Sequence, residues 1–280
     1  MLDAFTWYTQ ASFRWRNGDQ TVFIDPWRVV DGGKADLVFV THAHFDHFRP
    51  DEIAALRRPD TIVVAPRDIA AELPGPVGAV APGDAFEIDG VAVQVVPAYN
   101  VAPDRLQHHP KANGWVGYVL SSNGVTWFHA GDTDHVPELD AVRADAAFLP
   151  IGGTYTMDAR EAAGLAKAIA PDVAVPMHFG FVVGTPEDAD VFRREAAPVR
   201  VEVLDVATGE QTASKTFRGI GHTLDASADE AIVSARGVTL DWTFATNRSR
   251  TISDQYGYRA DIGLNRLDRK STRLNSSHIP

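Results

Sequence analysis

From residue 5 to about residue 210, short apolar runs alternate with amphipathic stretches. Residues 13–24 alternate in register around Asn17-Gly18-Asp19 and predict a hairpin. Residues 35–40, Ala-Asp-Leu-Val-Phe-Val, form a short apolar run that reads as a buried strand. A helix is expected to open near Pro50-Asp51-Glu52, because proline and acids favour a first helical turn. Residues 61–65 and 91–96 read as strands. Residues 115–120 and 125–128 do too, and they flank Asn123-Gly124, a strong hairpin signal. A strand over 146–149 leads into Pro150-Ile151-Gly152-Gly153. Asp158 with Glu161 three residues later then resembles a capping box, opening an Ala-rich helix that stops at Pro171. Residues 173–175 read as a strand, Pro186-Glu187 as a helix start, and residues 199–204 as a last strand. No internal repeat is visible. Strands mixed with helices and local hairpins predict layered sheets with helices outside, rather than one purely parallel sheet.

The character changes after Thr208-Gly209-Glu210. Residues 213–267 are richer in Ser, Thr and Arg and show no helical pattern, although residues 238–244 alternate like a strand. Residues 268–278 resemble a translated sequencing adapter more than a natural protein end. The expected organisation is a domain over 1–212, an extension or truncated module over 213–267, and a non-native tail over 268–280.

Composition narrows the function classes. The chain is 45% hydrophobic and 22% charged, with a formal net charge of -11 and no run of Lys or Arg. A phosphate-backbone partner needs a basic face, so nucleic acid is not expected as substrate or partner. The absence of cysteine removes disulfides, thiolate ligands and Cys nucleophiles. The first residues lack a basic region followed by an apolar one, and no apolar stretch approaches membrane-spanning length. A cytoplasmic protein acting on a small molecule, away from membranes, is the expectation.

The apolar run over 35–40 ends in Thr41-His42-Ala43-His44-Phe45-Asp46-His47, three imidazoles and a carboxylate within six residues. A strand ending in four metal-type side chains delivers them together to one sheet edge. His and Asp without Cys suit zinc, manganese or iron better than a soft metal. Two further strands end in the same way. His129-Ala130-Gly131-Asp132-Thr133 follows one, with Gly131 allowing a sharp exit, and Pro176-Met177-His178-Phe179-Gly180 follows another. Three such strand ends meeting at one edge would make a site for two metals.

Together, His-x-His-x-Asp-His over 42–47, Gly131-Asp132 and His178 resemble the metallo-β-lactamase superfamily of metallohydrolases, and Ile24-Asp25-Pro26 resembles its early Asp motif. Within it, Ile24-Asp25-Pro26-Trp27, the segments 129–133 and 176–180, and Leu149-Pro150-Ile151-Gly152-Gly153 look most like the metal-dependent hydrolases near L-ascorbate-6-phosphate lactonase. The resemblance covers about residues 5–210. It implies an α/β fold, a four-layer αββα sandwich with the metal site at the sheet edge. It also implies two divalent metal ions, zinc first, with manganese or iron as alternatives. By the family pattern His42 and His44 hold one metal, Asp46, His47 and His178 the other, and Asp132 bridges them. Asp46 and Asp132 then work with a metal-bound hydroxide, shared by the two cations, that cleaves a small ester, lactone or phosphoester. Two alternatives stand beside hydrolysis: an iron-dependent oxidoreductase or dioxygenase, and an RNA-processing nuclease, which the acidic balance opposes.

Several positions depart from the pattern or sit beside it. The family usually adds a third His to the first metal, and Asn100 stands about where it is expected. His108 and His109 are the substitutes in reach, with His109 preferred because Pro110 stiffens it; an exposed loop is the competing reading. Gln10 stands where related proteins often carry His, and is expected to bear on the pocket more than on the metals. Asp25 is expected to brace the His cluster by hydrogen bonds rather than to ligate. His129 reads either as an outer partner of the ligands or as a buried structural residue. Trp7, Trp15, Trp27, Trp115, Tyr118 and Trp127 are expected in the core. Tyr155, after the Gly152-Gly153 turn, is expected to face the site.

Overall fold

The structure, a computed structural model, describes residues 1–30 and 32–207, and beyond them the backbone of six short strands. The chain divides into two compact units, Met1–Gly209 and Glu210–Pro280.

The first unit holds two mixed six-stranded sheets. One runs in the order β1 (Phe5–Thr9), β2 (Ser12–Asn17), β3 (Gln20–Ile24), β4 (Leu37–Phe39), β5 (Ile62–Pro66), β6 (Val77–Val80). Its first three strands are antiparallel hairpins, and β3 to β6 are parallel. The other sheet contains β7 (Ala85–Ile88), β8 (Val91–Pro97), β9 (Val116–Ser122), β10 (Val125–His129), β11 (Ala146–Pro150) and β12 (Val173–Met177) side by side in sequence order. Here β7 to β10 are antiparallel, while β10, β11 and β12 are parallel.

Side-chain alternation sorts the strands into layers. In β3 and β4, Val22, Ile24, Leu37 and Phe39 join the core that includes β8 to β12, whereas Phe23 and Val38 pack on the other face. That second face is covered by α1 (Pro50–Leu56) and α2 (Arg67–Ala70), which contribute Ile53, Leu56 and Ile69. On the second sheet, α3 (Ala159–Ile169) buries Ala162, Leu165, Ala166 and Ile169, and α4 (Pro186–Glu195) buries Ala189 and Phe192. The order of layers is helices, sheet, sheet, helices, the αββα sandwich that the sequence implied.

Local chemistry sets the ends. Pro50 stands in the first turn of α1 with Asp51 and Glu52 beside it, and Asp158 closes a capping box with Glu161 at α3. Asn123 and Gly124 both take positive φ at the tip between β9 and β10, the turn that Asn-Gly favours. The strand expected over 199–204 is not a ladder. Val201 makes a single bridge to Ala174 on one sheet, and just beyond the segment Val206 makes another to Trp7 on the other sheet.

In the second unit, Glu230–Ala235 pairs with Val238–Thr243, Arg250–Ser253 with Arg259–Ile262, and Thr223–Leu224 with Thr272–Arg273, all antiparallel. The alternating run at 238–244 thus coincides with a strand. The other expectations for residues 213–280 lie outside the described residues.

Candidate metal centre

Six segments reach the site, each leaving the C-terminal end of a strand. Gln10 follows β1, Asp25 follows β3, residues 42–47 follow β4, Asn100 and His109 follow β8, Asp132 follows β10, and His178 follows β12. Such strand ends are where layered α/β sheets place their ligands. Gly131 is needed for the approach. Its φ is 63°, and a Cβ there would stand 2.8 Å from the Val116 carbonyl oxygen.

The Asp132 carboxylate is the point of convergence. Its Oδ2 lies 3.0 Å from His178 Nε2, 3.4 Å from His109 Nε2, 3.5 Å from His47 Nε2 and 3.7 Å from His42 Nε2. Two clusters share this neighbourhood: His42, His44, His109 and Asp132, and Asp46, His47 and His178. All are buried except the half-buried His44.

The rings are aimed from behind. Asp25 Oδ1 accepts the Thr41 backbone N–H at 2.7 Å, and Oδ2 accepts the Thr41 hydroxyl at 2.6 Å and His47 Nδ1–H at 2.7 Å. With its hydroxyl hydrogen given to Asp25, Thr41 Oγ1 accepts from His42 Nδ1 at 2.9 Å. One buried carboxylate thereby sets the tautomer of two histidines and turns both Nε2 lone pairs toward Asp132. Asp25 also lies close enough to His42 and His47 to form a third cluster. Its oxygens are already occupied by three donors, so bracing is the arrangement seen.

The electrostatics call for positive charge. Burial opposes charging of His47, but Asp132, Asp46 and Asp25 together raise its pKa well above the ordinary value. His178 is pushed up to about 9, burial again being outweighed by Asp132. Burial works against ionised Asp132 and Asp46 too, yet the facing imidazoles hold both carboxyls below the usual range. The other cluster behaves oppositely. Burial first, then neighbouring imidazoles, hold His42 well below its ordinary value and bring His44 to about 4. Ionised carboxylates facing imidazoles, some neutral and some holding a proton that a cation can displace, make the donor set of a divalent cation in one dry site. Asp132 Oδ1, His47 Nε2 and His109 Nε2 are buried with no hydrogen-bond partner among the described residues, an arrangement that is costly unless a cation takes up those lone pairs. The residues fit divalent metal.

Asn100 and His109 are both present, in different roles. The Asn100 amide nitrogen donates to the carbonyls of Arg105 at 2.8 Å and Tyr155 at 2.7 Å, and lies 3.2 Å from His109 Nδ1. His109 Nε2 is the nitrogen that faces Asp132. His108 stays outside, its ring edge-on to Tyr155 at 4.8 Å. Tyr155 reaches Asn100 through its backbone carbonyl, while its ring packs on His108 rather than on the candidate ligands. His129 uses both nitrogens away from the cluster: Nε2 is 2.9 Å from the Ala11 carbonyl oxygen, and Nδ1 accepts from Gly131 N–H at 3.2 Å. Burial holds it neutral, and it braces the turn that presents Asp132.

Three features escaped the sequence reading. Trp115, expected in the core, is buried but packs on the rings of His44, His42 and His109 at 5.0, 5.1 and 5.7 Å, and its indole N–H donates to Asp68. Asp134 holds the loop over 100–109 by accepting from the N–H groups of Val101 and Ala102 and pairing with Arg105, which also pairs with Glu161. Gln10, expected to bear on the pocket, donates to the Asp46 carboxylate at 3.1 Å. Trp127, Tyr118, Trp7 and Trp15 lie in the core as expected, while buried Trp27 stands edge-on to exposed Phe45.

A family model described as a β-lactamase superfamily domain matches residues 4–178. The chain belongs to the metallo-β-lactamase superfamily. Within that superfamily it is 31% identical over 224 residues to the UPF0173 metal-dependent hydrolase of Methanopyrus kandleri, covering 73% of this chain and 97% of the relative. It is 35% identical over 187 residues to the corresponding protein of Thermococcus kodakarensis, covering 64% and 81%. Among solved structures, a chain assigned as a metal-dependent hydrolase from Parabacteroides distasonis superposes with a TM-score of 0.65 at 28% identity, covering 72% of this chain and 93% of that one. CmlA, a diiron β-hydroxylase from Streptomyces venezuelae, shares the fold at 15% identity and a TM-score of 0.56, covering 71% and 52%. The narrower likeness to L-ascorbate-6-phosphate lactonase rests on the sequence motifs alone. Among the described residues, no helix is long and apolar enough to cross a membrane.

Proposed function

We propose that this superfamily member is a metal-dependent hydrolase with two divalent cations, cleaving an ester, lactone or phosphoester bond in a small molecule. The observation that carries the reading is the convergence of four imidazole Nε2 atoms on Asp132 Oδ2. In this reading His42, His44 and His109 hold one cation, Asp46, His47 and His178 hold the other, and Asp132 serves both. The names of the UPF0173 relatives support hydrolysis. Nitrogen and oxygen donors without thiolate suit zinc, with manganese or iron as alternatives. Cations held there would polarise a carbonyl or phosphoryl oxygen and make water nucleophilic near neutral pH. The chain's own residues orient and exclude: Asp25 and Thr41 aim His47 and His42, and Trp115 closes one side of the imidazole cluster.

Four of the five large hydrophobics exposed among the described residues, Phe45, Val101, Leu106 and Val182, lie on the loops that deliver the candidate ligands. Arg105 on the same loops is paired with Asp134 and Glu161, and Lys111 with Glu138. Exposed apolar side chains on these loops, with the nearby cations paired, favour an ester or lactone over a phosphoester.

Purified protein should bind two equivalents of zinc and hydrolyse members of a panel of esters, lactones and phosphodiesters. Chelation should abolish the activity and added metal restore it. Lack of metal-dependent turnover across the panel would refute the hydrolase reading. Asp46, His47 and His178 are also two imidazoles and a carboxylate, a set that suits Fe(II). Iron-dependent oxygen uptake without hydrolysis would therefore transfer the site to redox chemistry.

A further inference from the structure

Gln10 is wholly buried in the two-residue turn between β1 and β2, and its φ is 45°. Glycine or asparagine ordinarily takes such a position, and a long side chain there is strained. The strain goes with a set of contacts that a glycine could supply only in part. The amide nitrogen donates to Asp46 Oδ2 at 3.1 Å, and the amide oxygen accepts from Val182 N–H at 3.4 Å. The backbone carbonyl accepts from His178 N–H at 3.0 Å and from the Trp7 indole at 2.9 Å. His178 itself has a positive φ of 55°, so its backbone also needs holding.

Asp46 and His178 come from segments far apart in sequence, and their side chains meet at 3.5 Å. Gln10 touches both segments, one by its amide and the other by its backbone and by Val182. We propose that Gln10 is a positioning residue for the Asp46, His47 and His178 cluster, fixing the Asp46 carboxylate against the His178 loop so that this cluster's cation affinity depends on the Gln10 amide. The proposal rests on the two-cluster reading above.

Metal-free protein and the variants Gln10→Gly and Gln10→Leu would be titrated with zinc against a competing chelator, with folding followed by circular dichroism. Glycine satisfies the turn and the backbone carbonyl contacts but removes the amide; leucine keeps volume near that of glutamine and removes only the polar groups. His178→Ala identifies which equivalent belongs to this cluster. The expected result is a loss of about 10- to 100-fold in affinity for that equivalent in both variants, the range for outer partners of metal ligands, with the other equivalent unchanged. Unchanged affinity in either folded variant would overturn the proposal, as would equal losses at both equivalents, which would mark Gln10 as a general packing residue. A wild-type chain that binds a single equivalent would overturn the two-metal reading instead. The same variants would still decide this one, with weakened binding supporting it and unchanged binding overturning it.

Discussion

The two clusters share Asp132 but differ in charge and in support. Around Asp46, His47 and His178 the carboxylates dominate. Asp25 backs His47, Gln10 backs Asp46, and His178 is pushed up to about 9 by Asp132 despite its burial. Around His42, His44 and His109 the imidazoles outnumber the acids, His44 falls to about 4, and its ring is partly exposed. A buried anionic pocket must hold something positive, either protons or a metal. A pocket of neutral imidazoles has no such requirement. In the proposed two-metal arrangement, the Asp46/His47/His178 cluster would hold its cation with more electrostatic pull than the His42/His44/His109 cluster. The asymmetry lies in charge rather than in the number of candidate ligands.

The largest effect should come from the shared residue. Asp132→Asn keeps the shape but halves the carboxylate's donor capacity and removes its charge. It is expected to weaken both equivalents and to lower turnover by more than the roughly 100-fold that outer partners typically cost. Metal analysis after gel filtration, beside steady-state kinetics, checks this. Full occupancy with near-normal turnover would remove Asp132 from the centre.

Next, removing one side chain from each cluster should separate them. His178→Ala should lose one equivalent and His109→Ala the other, each sparing its neighbour, as read by zinc titration. If His109→Ala leaves both metals bound, the assignment of His109 is wrong and the His42/His44 cluster has a different third partner.

Asp25→Asn probes what the clusters have in common. Through Thr41 and directly, Asp25 fixes His42 in one cluster and His47 in the other. Affinity at both equivalents should fall about 10- to 100-fold. Loss confined to the Asp46/His47/His178 equivalent would show that the Thr41 relay does not reach His42 in solution.

Much of this was legible in the sequence, because the signals were local. Strand-end motifs at 42–47, 131–132 and 178 carry their chemistry in adjacent residues, and sheet topology brings strand ends together. The Asn-Gly turn and the capping box are also local and appear where expected. What was not legible depends on loops meeting across the fold. Gln10 touches Asp46 only because the β1–β2 turn packs against the site. Trp115 lies against three imidazoles because β9 begins beside them. The segment 199–204 has strand-like residues, yet it makes one bridge to β12 before the chain crosses at Val206 to the other sheet, a tertiary choice that propensity does not encode. Choosing between Asn100 and His109 also required the path of a ten-residue loop.

That loop gives the smallest and most specific prediction. Both hydrogens of the Asn100 amide are taken by the Arg105 and Tyr155 carbonyls, so the amide ties the start of the loop to its middle and to the segment before α3. The same nitrogen lies 3.2 Å from His109 Nδ1 with no hydrogen left to give it, so Asn100 places the ring by packing and by holding the loop that carries it. Asn100→Leu keeps volume but strands two carbonyls, a cost of about 1–3 kcal/mol for each buried group left unsatisfied, which a lowered thermal midpoint would report. His109 would keep its ring but lose the loop anchor that places it. Affinity for the His42/His44/His109 equivalent should drop about 10-fold, and the Asp46/His47/His178 equivalent should be untouched because Asn100 makes no contact there. A variant that loses stability while keeping both affinities would show that the Asp134–Arg105 pair is enough to aim His109. The greater rigidity would then belong to the ion pair, and Asn100 would serve the loop rather than the metal.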